Sequence, residues 1–394
     1  MTSATDQQRA APTTPEDERA LARPLRILFV TPRYPPFTGG VEMHTREVAR
    51  RLVQAGLDVT VLTTNPGGRL PRAEQVDGIR VVRERAWPAS RDYYIAPGIY
   101  DSIRNGDWDL VHCQGYHTLV PPIAMLAAWR SGKPYFVTFH SGGHSSRFRQ
   151  AVRGLQRLLL RPLLARAAKL IAVSNYEAEL FRSSLHLPAE QFVVVANGSH
   201  LPAPSISPTP ASSGDGPLLL SVGRLERYKG HHRVIEAMPL VASVRQDVQL
   251  LIVGSGPFED ELKRLVTALR VEEHVKFVSV PASDRQQMAD LYAQAALVVL
   301  LSDYEAHPLS VIEARALGRP VLVTDTSGLA ELADRGIAHA IPLSSSPDQI
   351  AEAIIKQLDQ PASPVPVTLP TWEECTDHLL SLYQASARGR SCAS

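Results

Sequence analysis

Four charged side chains in the second half of the sequence are spaced as chemistry would require. In SDYEAHPLSVIEARALGRPVLVTD, Glu305 follows a short apolar run, and Glu313 comes eight residues later in a stretch of helical pattern. Pro308 suits the first position of that helix, whose free N–H groups, including those of Leu309 and Ser310, make an anion site. A phosphate held there lies between two carboxylates, one reaching into a cleft and one further along the helix. A second segment, SVGRLERYKG, ends an apolar run in Gly223 and continues with Arg224 and, five positions on, Lys229. Two cations on one loop can neutralise a departing diphosphate without a metal ion. A capped surface helix with solvated glutamates, and a solvated basic loop, are the plainer readings of the same residues.

Elements are needed to aim these groups. The 394 residues exceed what one hydrophobic core usually serves, so two domains are expected. LRILFV, from Leu25, reads as a strand buried on both faces, and PRYPPFTGG as a turn-rich loop. VEMHTREVARRLVQAG reads as a helix with Val41, Val48, Leu52 and Val53 at helical spacing and Gly56 at its C-terminal cap. LDVTVLTT completes a βαβ unit, and DLVHC, PYFVTFH, KLIAVS and FVVVAN read as further buried strands. The expected organisation is a disordered tail over 1–23, a first α/β domain over 24–198, and a Pro/Ser/Gly-rich linker over 199–217. A second domain over 218–370 carries the strands LLLSVG, VQLLIVG, VKFVSV, LVVLLS and PVLVTD, and 371–394 forms a closing helix with a basic tail. The fold class is α/β, with two doubly wound Rossmann-like domains facing an interdomain cleft where ligands meet the carboxyl ends of both sheets.

On these residues the chain resembles the family-4 retaining glycosyltransferases of the two-domain GT-B fold, from Leu25 to about Tyr383. Glu305 and Glu313 match the Glu-x7-Glu signature of that family. The resemblance implies that Glu313 binds the donor ribose, that Glu305 faces the transferred sugar, and that Arg224 and Lys229 hold the donor diphosphate. Gly39 and Gly40 of TGGVEMH match a glycine loop that lets backbone approach the donor phosphates, and His140 matches an active-site histidine near sugar and acceptor. Gly254 and the segment Val278–Pro281, with Val280, fall where family members accommodate the nucleotide; Asn197 and Gly198 match the hinge. The implied reaction moves a sugar from a nucleoside diphosphate donor to an acceptor hydroxyl with retention, by front-face attack and under domain closure. A UDP-sugar is the favoured donor and GDP-mannose the alternative; no metal and no cofactor are implied. Products would be glycans, glycolipids or glycosylated metabolites. The sequence departs from the family pattern at Ala306 and His307, where Gly-Phe is common, at Val280, often glycine, and at Ala296, often aspartate. His307 bears on the sugar pocket. A sugar-nucleotide epimerase of the same architecture and a non-catalytic sugar-nucleotide sensor are the rival readings.

Composition narrows the partners. The formal charge of +1, from 41 basic and 40 acidic residues, argues against a nucleic-acid coat. Cys113, Cys375 and Cys392 offer neither a disulfide framework nor metal-ligand spacing and fit a reducing compartment. No secretory signal is legible and no run approaches the roughly 18 apolar residues of a membrane span, so a cytoplasmic protein is expected. The near-zero charge is a cancellation: residues 1–200 hold 25 basic and 17 acidic groups, +8, and residues 201–394 hold 16 and 23, −7. From Val111 to Tyr176 there is no acid at all. Within that span, residues 147–169 interleave leucine with arginine, although Pro162 should break or kink a helix there. Two readings stand: a peripheral contact at the inner face of a membrane, bringing the first domain to an anionic or lipid-linked acceptor, and an ordinary helix with a solvated basic face.

Overall fold

The computed structural model describes residues 23–37, 39–88, 95–141, 147–206, 216–281, 284–360 and 367–391. The first half runs β1 (Arg26–Val30), α1 (Gly40–Gln54), β2 (Asp58–Asn65), β3 (Ala73–Val76), β4 (Ile79–Arg85), α2 (Gly98–Asn105) and β5 (Leu110–Gln114). It continues with α3 (Val120–Arg130), β6 (Tyr135–Thr138), α4 (Arg147–Leu164), β7 (Lys169–Ala172), α5 (Asn175–Leu185) and β8 (Phe192–Val194). These strands form one eight-stranded sheet in the order β3-β4-β2-β1-β5-β6-β7-β8. Strand β1 lies inside because Ile27, Leu28, Phe29 and Val30 are all buried, which only helices on both faces of a parallel sheet permit. The β3–β4 pair is the antiparallel exception and was not expected from the sequence. Its turn is Asp77-Gly78, with φ of 52° and 79°, a dipeptide suited to a tight hairpin.

The second half runs β9 (Leu218–Val222), α6 (His231–Val244), β10 (Gln249–Val253), α7 (Glu259–Leu269), β11 (Val275–Val278) and α8 (Arg285–Gln294). After these come β12 (Leu297–Leu300), α9 (Leu309–Ala316), β13 (Val321–Asp325), α10 (Ser327–Asp334), β14 (His339–Pro342) and α11 (Pro347–Asp359). The sheet is six-stranded, in the order β11-β10-β9-β12-β13-β14. In both sheets the order reverses at the first strand: β1 lies between β2 and β5, and β9 between β10 and β12. Ligands of such sheets bind at the carboxyl end of that strand. Gly39-Gly40 follows β1, and Gly223-Arg224 follows β9.

The closing helix α12 (Trp372–Ser391) crosses back to the first domain. It buries Trp372, Cys375, Leu379 and Tyr383 against Phe29, Leu52 and Phe136, and Glu373 pairs with Arg51 at 2.8 Å.

Several expectations need correction. Residues 385–391, read as a tail, continue the helix, because alanine and arginine are strong helix formers. Helix α4 runs through Pro162. The carbonyl deprived of its donor belongs to Leu158, on an exposed flank where water can replace the lost bond. Pro308 is the cap of α9 and Leu309 its first residue, one position later than read. The start of the expected linker is not free chain: the Ser205 N–H and hydroxyl donate to Asp290 at 2.7 and 2.6 Å, and Gln286 donates to the Ala203 carbonyl at 3.0 Å. Arg23, assigned to the tail, pairs with Asp109 at 2.7 Å. Residues 1–22 of the tail, 207–215 of the linker and 392–394 lie outside the described residues. Among the described residues no helix is long and apolar enough to cross a membrane.

Candidate active site

Beyond β9 the chain passes Gly223 and Arg224 into a single tight turn, Arg227–Lys229, before α6. Gly230, at φ 74°, lies where a Cβ would overlap the Leu301 carbonyl oxygen, so only glycine lets this loop rest on the end of β12. That approach puts Lys229 beside Glu305: Nζ donates to Oε1 at 2.5 Å, and the Ser302 hydroxyl donates to the same oxygen at 2.9 Å. The Glu305 N–H donates to the Ser327 hydroxyl at 2.9 Å. Burial lowers the Lys229 pKa most, but the Glu305 carboxylate beside it and the Tyr228 hydroxyl together outweigh burial and hold the ammonium above its ordinary value. Arg224 stays half-exposed, 3.5 Å from Glu226.

Helix α9 begins at Leu309 with no side-chain cap from Pro308, and the Leu309 side chain packs against the core of the first domain. Its first amides therefore open at the domain boundary, with the positive end of the helix dipole. Glu313, buried on α9, is gripped by Arg285 and accepts from the Tyr292 hydroxyl at 3.2 Å. Arg285 opens α8, just after the loop of Val278–Pro281, so Glu313 is tied to the segment expected to accommodate the nucleotide. Val280 packs its side chain on the core of the second domain, leaving its backbone to serve the loop. Gly254 has φ 154°, and a Cβ there would overlap the Gly223 carbonyl; the glycine lets the ends of β9 and β10 converge.

Across the cleft, a Cβ on Gly39 would run into the Glu42 carboxylate, whereas Gly40 faces open space. Burial raises the Glu42 pKa, opposed by the positive charges of Arg33 and, from the other domain, Arg224. The N-terminus of α1 thus faces the arginine of the second domain. His140 follows β6 at φ 46°, a left-handed backbone that costs a non-glycine residue about 1 kcal/mol. Its Nε2 meets Gln114 Oε1 at 2.7 Å, which assigns the proton to that nitrogen, and its ring lies 4.5 Å from that of His44. Burial, then His44, His112 and His117, hold its pKa well below the usual histidine value, so the imidazole is neutral. A pocket of about 160 Å³ opens here, lined by Thr31, Arg33, Glu42, Gln114, His117 and His140 among others.

Among the described residues, three sets of hydrogen bonds join the domains. The Ser141 and Tyr304 hydroxyls are 2.8 Å apart; Asn197 Nδ2 donates to the His307 carbonyl at 3.1 Å while its Oδ1 meets His44 Nδ1 at 3.0 Å. Glu331 accepts from Asn175 Nδ2 at 2.8 Å and from the Tyr176 N–H at 2.9 Å, at the start of α5. Tyr304 and His307 flank Glu305, so the first domain holds the glutamate loop on both sides. Gly198 sits where a Cβ would overlap the backbone of Trp372, beside a Ser199 N–H to Pro370 carbonyl bond of 3.2 Å. The two chain crossings lie side by side there, as a hinge requires. The His307 ring is buried, its pKa lowered by burial to about 4, and neither nitrogen meets a hydrogen-bond partner among the described residues.

The structure therefore gathers Arg224, Lys229, Glu305, Leu309 and Ser310 at the carboxyl edge of the second sheet. It places Gly39, Gly40 and His140 opposite them, and Glu313, Gly254 and Val280 along the flank. Sequence reasoning missed Glu42, His44, Gln114, Glu177, Arg285, Tyr292, Tyr304 and Glu331. Of these only Glu177 left a signal, the Ser-x-x-Glu spelling of a helix start at Ser174. Its carboxylate in fact accepts from the N–H groups of Ser141 at 2.6 Å and Val173 at 2.8 Å, fixing the residue after His140.

Two Rossmann-like domains, each with its switch point on a shared cleft, make this a GT-B fold. Residues 38–201 match the family described as Glycosyltransferase Family 4, and residues 204–366 that described as Glycosyl transferases group 1; the chain belongs to family 4 of the glycosyltransferases. It is similar to an uncharacterized glycosyltransferase of Methanocaldococcus jannaschii, 28% identical over 85% of this chain and 89% of that one. A GDP-mannose:cellobiosyl-diphosphopolyprenol alpha-mannosyltransferase of Komagataeibacter xylinus is 25% identical over 86% and 84%. Among solved structures, sucrose-phosphate synthase of Thermosynechococcus elongatus shares the fold with a TM-score of 0.76, at 23% identity over 94% of this chain and 100% of that one. Anabaena HepE, solved in complex with UDP-glucose, does so with a TM-score of 0.70, at 20% identity over 93% and 100%.

Proposed function

We propose that the protein is a retaining, metal-independent hexosyltransferase that moves a sugar from a nucleoside diphosphate donor to an acceptor hydroxyl in the cytoplasm. The observation that carries this reading is the buried Lys229–Glu305 pair, 2.5 Å apart, beside the N-terminus of α9 and opposite a neutral His140. A diphosphate entering the cleft competes with Glu305 for the Lys229 ammonium and meets Arg224 and the amides of Leu309 and Ser310. These groups supply the charge a divalent ion would otherwise provide. The ribose takes the Glu313 carboxylate as Arg285 yields it. Freed from Lys229, Glu305 faces the sugar and stabilises positive charge at the anomeric carbon.

The acceptor enters by the pocket of Glu42, Gln114 and His140. Its hydroxyl oxygen bonds to the anomeric carbon on the face from which the diphosphate leaves, and its proton passes to the departing phosphate oxygen. Closure over the donor excludes water. We place a UDP-sugar first as donor, with GDP-mannose as the alternative, and an anionic or lipid-linked acceptor, as the polyprenol substrate in the name of the Komagataeibacter relative suggests by analogy. The test is transfer measured by mass spectrometry with UDP-, GDP- and ADP-sugars and a polyprenyl-diphosphate sugar acceptor. One donor should yield product with wild type and at least about 100-fold less with Lys229→Ala. Equal turnover by that variant contradicts the assignment. Epimerised donor in the absence of acceptor makes it an epimerase, and donor binding without turnover makes it a sensor.

A further inference from the structure

Helix α4 carries leucines on two sides, one packed and one turned outward. It packs on the first domain through Leu160, Leu163 and Leu164, and Gln156 donates to the carbonyls of Tyr116 and His117 at 3.0 and 3.4 Å. Leu155, Leu158 and Leu159 are left 56%, 66% and 68% exposed. Their spacing of i, i+3, i+4, continued by exposed Pro162 at i+7, makes one stripe along the helix. Leucines so exposed on adjacent turns are not scattered surface residues; they form an apolar patch.

Its surroundings are basic. At the end of the stripe Arg166 donates to the Pro162 carbonyl at 2.6 Å and stacks over Trp129 at 4.6 Å, and Arg130 approaches the same ring at 5.6 Å, with Trp129 itself 42% exposed; Arg157 and Arg161 lie toward the packed side of the helix, where Arg161 donates to the Leu185 and His186 carbonyls at 2.8 and 3.3 Å. No Asp or Glu occurs from residue 111 to 176 to offset them. We propose that this stripe is a docking surface for an anionic bilayer: the leucines enter the acyl boundary, Trp129 sits at the headgroup level, and Arg130 and Arg166 meet the lipid phosphates. A second copy of the chain fits less well, because pairing this face with itself would bring cation against cation.

The position matters for chemistry. The cleft end of α4 is Arg147, and Leu155 lies about 12 Å further along the axis. Through Gln156 the helix rests on the loop of residues 115–118, whose other side lines the acceptor pocket with Gly115, His117 and Thr118. A bilayer held on the stripe therefore presents amphiphile headgroups beside the pocket mouth. This deepens, and for its purpose rests on, the reading of the acceptor as lipid-linked.

Co-sedimentation tests it with vesicles of phosphatidylcholine, with and without phosphatidylglycerol, using wild type and Leu155→Ser/Leu158→Ser/Leu159→Ser. Wild type should sediment with the anionic vesicles alone, more weakly at high salt, and the triple variant should bind roughly tenfold or more weakly. The substituted side chains are exposed, and an unchanged melting temperature confirms that the variant folds. No sedimentation of wild type, or equal sedimentation of the variant, overturns the proposal. A wild-type dimer that the triple variant cannot form also overturns it, making the stripe a protein interface. Transfer to a water-soluble acceptor should be equal in both proteins. Its absence from both would count against the transferase reading and leave the vesicle result standing.

Discussion

Lys229 and Glu305 each stabilise the charge of the other in a site with little water, and that dependence decides what substitution does. Lys229→Ala leaves a buried carboxylate with Ser302 as its one hydrogen-bond donor among the described residues, so beyond lost turnover it should cost about 3 kcal/mol of stability, read as a lowered melting temperature. Glu305→Gln keeps an oxygen for Ser302 and Lys229 and should cost less stability than Lys229→Ala, while removing the negative charge opposite the anomeric carbon. The buried histidines set the acid limit. His44 and His231 are each lowered by burial to about 4, so the unfolded chain, with the ordinary value near 6.5, takes up protons first as pH falls. Their contribution is full above about pH 6.5 and is lost toward pH 4, at up to about 1.4 kcal/mol per pH unit for each group. Chemical denaturation from pH 7 to 4.5 should show stability falling in that window, with a shallower slope in His44→Gln.

The elements succeed by letting backbones meet. Gly230→Ala would place a methyl group on the Leu301 carbonyl at a left-handed backbone, displacing the loop of Lys229; both melting temperature and donor affinity should fall. Asn197→Ala removes the bonds to His44 and to the His307 carbonyl together, which should lower kcat more than it raises KM, because it loosens the glutamate loop against His140 without touching the diphosphate. Equal loss of stability and activity in Asn197→Ala, with no shift in the kcat-to-KM balance, would reduce this contact to a structural one. These features differ in how far the sequence shows them. Strands such as LRILFV and LVVLLS are legible because both faces of a parallel sheet are apolar, Arg224, Lys229 and Glu305 because they stand in the loops after strand ends, and Glu313 because it follows Glu305 by eight residues on the next helix. The β3–β4 hairpin carried its Asp-Gly turn in plain view, but alternation over four residues is a weak signal. Strand β14 is short, with half-exposed residues, and left less. Tyr304 and Glu331 acquire their roles, and Asn197, read as part of the hinge, its particular partners, only when residues more than a hundred positions apart come together, which no local pattern encodes.

For the whole molecule, the cleft exists because two sheets, in halves of the chain with opposite net charge, turn their switch points toward one another. Among the described residues, three hydrogen-bonded contacts and the returning helix α12 hold them there. Glu331→Gln weakens the clasp at the start of α5, so small-angle scattering should show a wider distribution of domain separations, narrowed again by donor. The central claim is that the second domain binds a nucleoside diphosphate through Arg224, Lys229 and the head of α9. A thermal-shift titration with UDP, GDP and ADP tests it most directly, since a ligand at 100 times its Kd stabilises the native state by about 2.7 kcal/mol. One nucleotide should raise the melting temperature of wild type, Arg224→Ala and Lys229→Ala should lose most of that shift, and Glu305→Gln should keep it or exceed it, because the ammonium is then freer to meet phosphate. No shift with any of the three nucleotides, or a shift that Arg224→Ala and Lys229→Ala both retain in full, would contradict the account.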